Sequence, residues 1–253
     1  MVILQLTDYI YRLQIPFSNI YTCMFLIRTP AGTVVYDTGT YGSDISNYLV
    51  PALQELSMEQ PVAVAISHNH GDHAGGLTTF HELYPDVPIY AGSEACKERV
   101  DASVRVLKDG DILFGLRAVH IPGHTTDCIG IYDRRTKTLL SGDCLQAYGI
   151  YGKGKWGTSI AYPQAHLEAL DRLENMDIQA LYTAHHYEPS GNSAEGLEQV
   201  QNYILRCRNA LKDIRDYVVA HPEKELETLN EGYAAMTGLP IPPTKSFEPY
   251  KEQ

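Results

Sequence analysis

The sequence predicts an α/β layered sandwich, with mixed sheets inside and helices outside, on three observations. Short β-branched or aromatic runs alternate with segments of helical period along the chain. Both halves open on strand-rich stretches. One run, 62–66, is Val-Ala-Val-Ala-Ile without a polar residue, the pattern of a strand covered on both faces. With 253 residues, 44% hydrophobic and 20% charged, the chain can bury a substantial core as one domain over 1–253. The core is expected over about 1–195, with a helical extension over about 196–253.

Residues 20–27 and 33–36 read as paired strands, because Thr29-Pro30-Ala31-Gly32 between them has turn chemistry. After the Asp37-Thr38-Gly39-Thr40 turn, 45–56 is helical, with Ile45, Tyr48, Leu49 and Leu53 on one face. The buried strand 62–66 runs into a polar loop holding three histidines. A helix is expected at 77–84, and strands at 88–91, 116–121, 128–132 and 138–140. Helix 166–174 then precedes a last strand, 180–183.

From Leu197 the apolar residues Leu197, Val200, Ile204, Cys207, Leu211, Ile214 and Val218 step by three and four, so 197–218 is one amphipathic helix with a narrow stripe. That stripe either packs on the body of its own domain or forms the seam of a homodimer. His221-Pro222 ends the helix, and Glu223-Lys224-Glu225 reads as the solvated start of a shorter one over 225–236. The prolines of Leu239-Pro240-Ile241-Pro242-Pro243 predict an extended extreme C-terminus.

Composition removes several function classes. The formal net charge is −11, the opposite of the basic footprint of a protein that binds nucleic acid or an anionic membrane surface. No apolar stretch approaches the roughly 18 residues of a bilayer span, and the opening MVILQLTDYIYRLQIP lacks the basic head of an export signal. Five scattered cysteines form no CxxC pair, so neither a disulfide framework nor a thiolate zinc site is indicated. The expectation is a soluble cytoplasmic protein acting on a small molecule. Eighteen tyrosines beside 5 Phe and 1 Trp supply polar-aromatic surface.

The chemistry centres on His68-Asn69-His70-Gly71-Asp72-His73, directly after the buried strand. Residues two apart in an extended loop project the same way, so His68 and His70 can reach one metal ion, with Asp72 and His73 offset toward a second. Three further donors each follow a candidate strand: His124 in Pro122-Gly123-His124-Thr125, Asp143 in Ser141-Gly142-Asp143, and His185 after Tyr182-Thr183-Ala184. Seven nitrogen and oxygen donors without a thiolate suit two borderline ions better than one closed structural zinc.

This set, HxHxDH, PGHT, SGD and a strand-end histidine, resembles the metallo-β-lactamase-fold hydrolase superfamily over about residues 20–190. Asp37, in Val35-Tyr36-Asp37-Thr38-Gly39, matches the family's early Asp-Thr-Gly turn. The resemblance implies an αββα four-layer sandwich, here with additional C-terminal helices, and metals in a cleft at one edge. It further implies that His68, His70 and His124 hold one ion and that Asp72, His73 and His185 hold the other, with Asp143 bridging. Asp37 either orders the loop from behind or is an ordinary turn residue. Ala184-His185-His186 stands where the family shows Gly-His-Gly, and His185 is preferred to His186. The implied cofactors are two divalent metal ions: zinc, with iron or manganese as alternatives.

A carboxylate at position 143 resembles the glyoxalase II thioesterases, the lactonases and the phosphodiesterases, whereas zinc β-lactamases carry Cys or Ser there. The resemblance therefore implies cleavage of an ester, thioester or lactone by a hydroxide held between the ions. Phosphodiester or phosphonate hydrolysis is the alternative within the class, and a persulfide-dioxygenase-like oxidoreductase with one iron is the alternative outside it. Asp72 and Tyr148 are the candidate catalytic residues. Tyr148 stands near the Tyr that lactonases set after the bridging Asp, and it is otherwise a packed wall of the pocket. Lys155-Trp156-Gly157-Thr158 resembles the glyoxalase II segment that meets glutathione, at a different spacing. Tyr151 and Lys153 lie in the same stretch.

Overall fold

The computed structural model describes residues 2–17, 20–150 and 157–251. Among these the first sheet runs β1 (Val2–Gln5), β2 (Ile10–Phe17), β3 (Ile20–Thr29), β4 (Gly32–Tyr36), β5 (Pro61–Ile66), β6 (Ile89–Ala91) and β7 (Val104–Val106), neighbours in that order. It is antiparallel as far as β4 and parallel from β4 to β7. The second sheet orders β8 (Ile112–Leu113), β9 (Leu116–His120), β10 (Ile129–Asp133), β11 (Thr138–Leu140), β12 (Ala180–Tyr187) and β13 (Gly191–Glu195). Here β11 and β12 pair in parallel, as the long crossover between them requires.

Strand alternation builds the layers. In β3, Cys23, Phe25 and Ile27 point between the sheets, where they meet Leu116, Ala118, Ile129, Ile131 and Leu140 of the second sheet. Their neighbours Met24 and Leu26 point the other way. The continuous run in β5 divides likewise, Ala63 and Ala65 inward and Val64 and Ile66 outward, so a strand covered on both faces needs no polar residue.

Helices cover the outer faces. Against the first sheet lie α1 (Gly42–Asp44), which runs through Ile45–Leu49 into α2 (Val50–Glu55), then α3 (Gly71–Ala74) and α4 (Leu77–Leu83). Against the second sheet lie α5 (Pro163–Glu174) and α6 (Leu197–Ala220), through Leu170, Leu173, Val200, Ile204 and Cys207. The αββα sandwich with added C-terminal helices is thus present. Each fully buried Leu or Ile contributes roughly 1.5–3 kcal/mol to it.

Of the two readings of the α6 stripe, packing on the body of its own domain is the one the structure shows: Val200, Ile204 and Cys207 pack on the second sheet, and Ile214 and Val218 pack with α7 (Leu226–Thr237), while Leu197 at the start of the stripe is exposed. The extreme C-terminus is not extended. After Pro243 the chain makes a 3₁₀ turn, Thr244–Ser246, and a last helical turn, α8 (Glu248–Lys251), because Phe247 and Tyr250 bury their rings beside Tyr217, Leu229 and Tyr233. Among the described residues no helix is long and apolar enough to cross a membrane.

Candidate metal centre

Parallel pairing sets the site at one edge. The carboxyl ends of β4 and β5 lie side by side, as do those of β11 and β12, and the loops leaving such ends are where open α/β sheets gather ligands. β5 leads through Ser67 to His68, and the chain turns at His70 into the short α3 that carries Asp72 and His73. Thr38 fixes that turn, its backbone N–H and its hydroxyl both donating to the His73 carbonyl at 2.7 and 2.9 Å. The next residue but one must be glycine: a Cβ on Gly75 would lie 1.9 Å from the Thr40 carbonyl oxygen.

The remaining donors arrive from the second sheet. His124 follows β9 in a loop whose Gly123 lies against the His166 ring, with room for no Cβ. Asp143 follows β11. His185 lies inside β12, which continues through an irregular register to Tyr187 rather than ending at 183. Successive strand residues face opposite ways, so His185 is buried at 1% exposure while His186 is exposed. The strand thereby selects His185.

The structure brings the seven donors together in two sets. In the first, His68 Nε2 and His124 Nε2 face His70 Nδ1 at 3.0 and 2.9 Å. Their other nitrogens are committed. His124 Nδ1 donates to the Ser159 carbonyl at 2.7 Å. The Ser67 hydroxyl donates to Asp37 Oδ2 at 2.9 Å and so is left to accept from His68 Nδ1 at 3.0 Å. Both Nε2 atoms therefore present lone pairs to the same point. In the second set, His185 Nε2 lies 3.0 Å from Asp72 Oδ2 and 3.4 Å from Asp143 Oδ1, and His73 Nε2 lies 3.5 Å from each of those oxygens. Asp143 faces both sets, its Oδ2 standing 4.0 Å from His124 Nε2.

Within each set the ligand atoms lie within 4.8 Å of one another. His73 Nε2 and Asp143 Oδ1 are buried without a hydrogen-bond partner, the situation a cation resolves and an apolar filling does not. The residues present therefore fit a pair of divalent ions: His68, His70 and His124 could hold one, and Asp72, His73, Asp143 and His185 the other.

Electrostatics divides the sets in the same way. Burial holds His68 well below its ordinary value, takes His124 down to about 4 and lowers His70, so all three imidazoles are neutral near pH 7, as ligands must be. In the second set burial opposes every charge, yet partners overcome it. His73 and His185 hold Asp72 down to about 2 and Asp143 well below the carboxylate range. Reciprocally, the carboxylates hold His185 up at about 10 and His73 well above its usual value. A cation in this set displaces those protons.

Several supports lie behind the donors, of which the sequence offered Asp37 and did not mark the others. Asp37, buried at φ +66°, accepts from the Ser67 N–H at 2.7 Å, the Ser67 hydroxyl and His73 Nδ1 at 2.8 Å. Ser67 is adjacent to the motif, but nothing in its type marks it. Arg99 clamps the loop from outside, its guanidinium donating to Asn69 Oδ1 at 2.5 Å and to the Asn69 carbonyl at 2.8 Å. His185 Nδ1 donates to the Tyr21 carbonyl at 2.8 Å. Tyr148 goes elsewhere: its hydroxyl donates to Asp213 Oδ2 on α6 at 3.3 Å, which favours a wall of the pocket over a group reaching the reacting carbonyl. Cys144 is a fully buried core residue. Tyr151, Lys153, Lys155 and Trp156 lie outside the described residues.

Comparison with known proteins agrees with this geometry. A family profile described as the metallo-beta-lactamase superfamily matches residues 21–185. A hydroxyacylglutathione hydrolase of Yersinia pestis (strain Pestoides F) is 30% identical over 144 residues, 54% of this chain and 53% of that one. The chain thus spans about half the length of that relative. A beta-lactamase-like protein 2 homolog of Caenorhabditis elegans is 25% identical over 231 residues, 87% of this chain and 73% of its own. Among solved structures, a metallo-beta-lactamase from Pontibacter korlensis shares the fold at a TM-score of 0.60 and 16% identity, over 81% of this chain and 98% of that one. The profile match begins at the residue whose carbonyl receives the His185 hydrogen bond and ends at His185 itself. It encloses every converging donor, and the chain belongs to the metallo-beta-lactamase superfamily.

Proposed function

We propose that the protein is a dinuclear-metal hydrolase that cleaves an ester, thioester or lactone of a small molecule. The observation that carries this reading is Asp143, one oxygen turned to each of two converging donor sets. When bound, two divalent ions supply a water whose pKa falls from about 15.7 toward 7 and polarise the substrate carbonyl. The chain's residues keep the two positions fixed and neutralise them in part with two carboxylates. Asp72, with 19% of its side chain exposed against 7% for Asp143, is the more open of the two carboxylates and, being ionised, could accept the proton that the attacking water gives up and return it to the departing sulfur or oxygen. The carbonyl carbon gains the oxygen of water as its bond to that atom breaks. No serine or cysteine nucleophile is required, and all five cysteines are buried.

Zinc is the proposed metal pair, since imidazole and carboxylate donors without sulfur suit borderline ions. The name of the Yersinia relative, a hydroxyacylglutathione hydrolase, supports a thioester. Elemental analysis of the purified protein should find close to two metal ions per chain. A panel of thioesters, lactones and aryl esters should contain a substrate whose turnover is abolished in His70→Ala and Asp143→Asn. Undiminished turnover by metal-free protein overturns the reading. Preferred cleavage of bis-(p-nitrophenyl) phosphate places the enzyme among phosphodiesterases, and one bound iron with oxygen consumption places it among dioxygenases.

A further inference from the structure

Past residue 185, where the family match ends, the chain returns to the loop behind His124. Residues 239–247, which follow α7, form a strap across residues 157–160. Gly157 lies so close beneath it that an added Cβ would stand 2.7 Å from the Pro240 carbonyl oxygen. On its far side the strap is tied to α7: Asn230 donates to the Pro242 carbonyl at 3.2 Å, and the centre of the Phe247 ring lies 5.8 Å from that of Tyr233.

Residues 157–160 belong to no helix or strand, so their buried backbone groups take partners from elsewhere. Ser246, 1% exposed, serves two of them: its hydroxyl donates to the Thr158 carbonyl at 3.0 Å and accepts from the Ile160 N–H at 3.3 Å. Ser159 between them is thereby held on both sides, and its carbonyl takes the His124 Nδ1 proton at 2.7 Å. A second group competes for that nitrogen. Gln146, also buried, accepts from the Ser159 N–H through Oε1 at 2.9 Å, which leaves its amide nitrogen 3.1 Å from His124 Nδ1. That nitrogen is a donor. Were it the partner, Nδ1 would carry the lone pair and Nε2 the proton, and Nε2 could not ligate a metal. The place of the Ser159 carbonyl decides between the two tautomers, and Ser246 fixes that place.

We propose that Ser246 is a positioning residue for the first donor set: through residues 158–160 the C-terminal extension holds His124 in its ligating tautomer, so that it governs the ion at His68, His70 and His124 and not the other. This rests on the metal centre of the hydrolase reading. In the second set the corresponding nitrogens of His73 and His185 are held by Asp37 and the Tyr21 carbonyl, both within the matched span.

Zinc titration of the full chain tests one donor set at a time: His185→Ala leaves the first intact, and His70→Ala leaves the second. Adding Ser246→Ala should raise the zinc dissociation constant about tenfold to a hundredfold in the His185→Ala background, the usual cost of removing a support behind a ligating histidine, and by less than about twofold in the His70→Ala background. Ser246→Thr, which keeps the hydroxyl, should restore most of the loss. Asn230→Ala loosens the strap without touching residues 157–160 and should weaken the same set by about twofold to tenfold; it replaces Ser246→Ala if that chain does not fold. In metal-free protein, long-range proton–nitrogen NMR correlations should find His124 protonated on Nδ1 in the parent and a mixture of tautomers in Ser246→Ala. Equal losses in both backgrounds, an unchanged constant for the first set, or an unchanged tautomer overturns the proposal. A His185→Ala chain that binds no zinc with Ser246 in place counts against the metal centre and the hydrolase reading, and the tautomer measurement still decides whether Ser246 acts on His124.

Discussion

Asp37 adopts a left-handed backbone conformation at φ +66° and is fully buried, a placement that aspartate and asparagine tolerate better than most residues. Its carboxylate accepts three hydrogen bonds, and the one from His73 Nδ1 decides which ring nitrogen is left for a metal. An asparagine there keeps the shape and the acceptor for the Ser67 N–H, but its amide nitrogen would face His73 Nδ1. The ring then carries its proton on Nε2 and cannot ligate through that atom. Asp37→Asn should therefore remain folded and lose roughly tenfold to a hundredfold in affinity at the second donor set. Elemental analysis after dialysis against limiting zinc should show metal content falling from near two ions per chain toward one. Content held near two would show that Asp37 acts on the turn alone.

At the scale of elements, α5 is pressed onto the loop that carries His124. His166, fully buried, donates from Nδ1 to the Pro122 carbonyl at 3.0 Å, and its ring occupies the space a Cβ at Gly123 would need. Burial lowers its pKa from 6.5 to about 4. Folded and unfolded chains both keep it neutral above pH 6.5. Between 6.5 and about 4 the unfolded chain takes up the proton and the folded chain does not, so stability falls as pH falls through that window. At pH 5 the loss is about 2 kcal/mol. Urea midpoints of metal-free protein at pH 7.5 and 5 should therefore converge in His166→Gln by that amount relative to the parent, and equal pH dependence of the two would show a solvated ring. The elements a sequence reveals least are those whose residues serve something other than the core. β2 was missed because Arg12 and Pro16 interrupt its pattern, yet Arg12 is buried, donates to the Asn192 carbonyl at 3.2 Å and lies over the Tyr182 ring. The edge strand β13 reads Gly-Asn-Ser-Ala-Glu, with no β-branched residue to signal it. The donor motif itself was legible because ligand chemistry restricts residue types at fixed spacings. Arg99 was not, because a single cation in a loop has a solvated surface as its ordinary setting.

Over the whole molecule, the two donor sets join the two sheets. His68, His70, Asp72 and His73 leave the first sheet, and His124, Asp143 and His185 belong to the second, with the inter-sheet core around Phe25, Tyr36 and Ile131 directly behind them. Ions held across that edge cross-link layers that also meet there through the inter-sheet core and through hydrogen bonds such as those from His185 Nδ1 to the Tyr21 carbonyl and from the Tyr36 hydroxyl to the Ile129 carbonyl at 2.7 Å. In their absence His68 Nε2 and His124 Nε2 both turn to His70 Nδ1, whose single proton can satisfy only one of them, and His73 Nε2 and Asp143 Oδ1 stay buried without a hydrogen bond. Metal binding is consequently folding stability. At a free concentration a thousand times the dissociation constant, one site contributes about 4 kcal/mol, and in a chain of this size each kcal/mol moves Tm by roughly 2–4 °C. Stripping the metals with a chelator that is then dialysed away should lower Tm by on the order of 10 °C, and stoichiometric zinc should restore it. The same treatment of Asp143→Asn should produce a much smaller shift, because the carboxylate facing both sets has lost its charge. A Tm indifferent to chelation would mean that the donors converge without binding, and the hydrolase reading would lose the ions on which its chemistry depends.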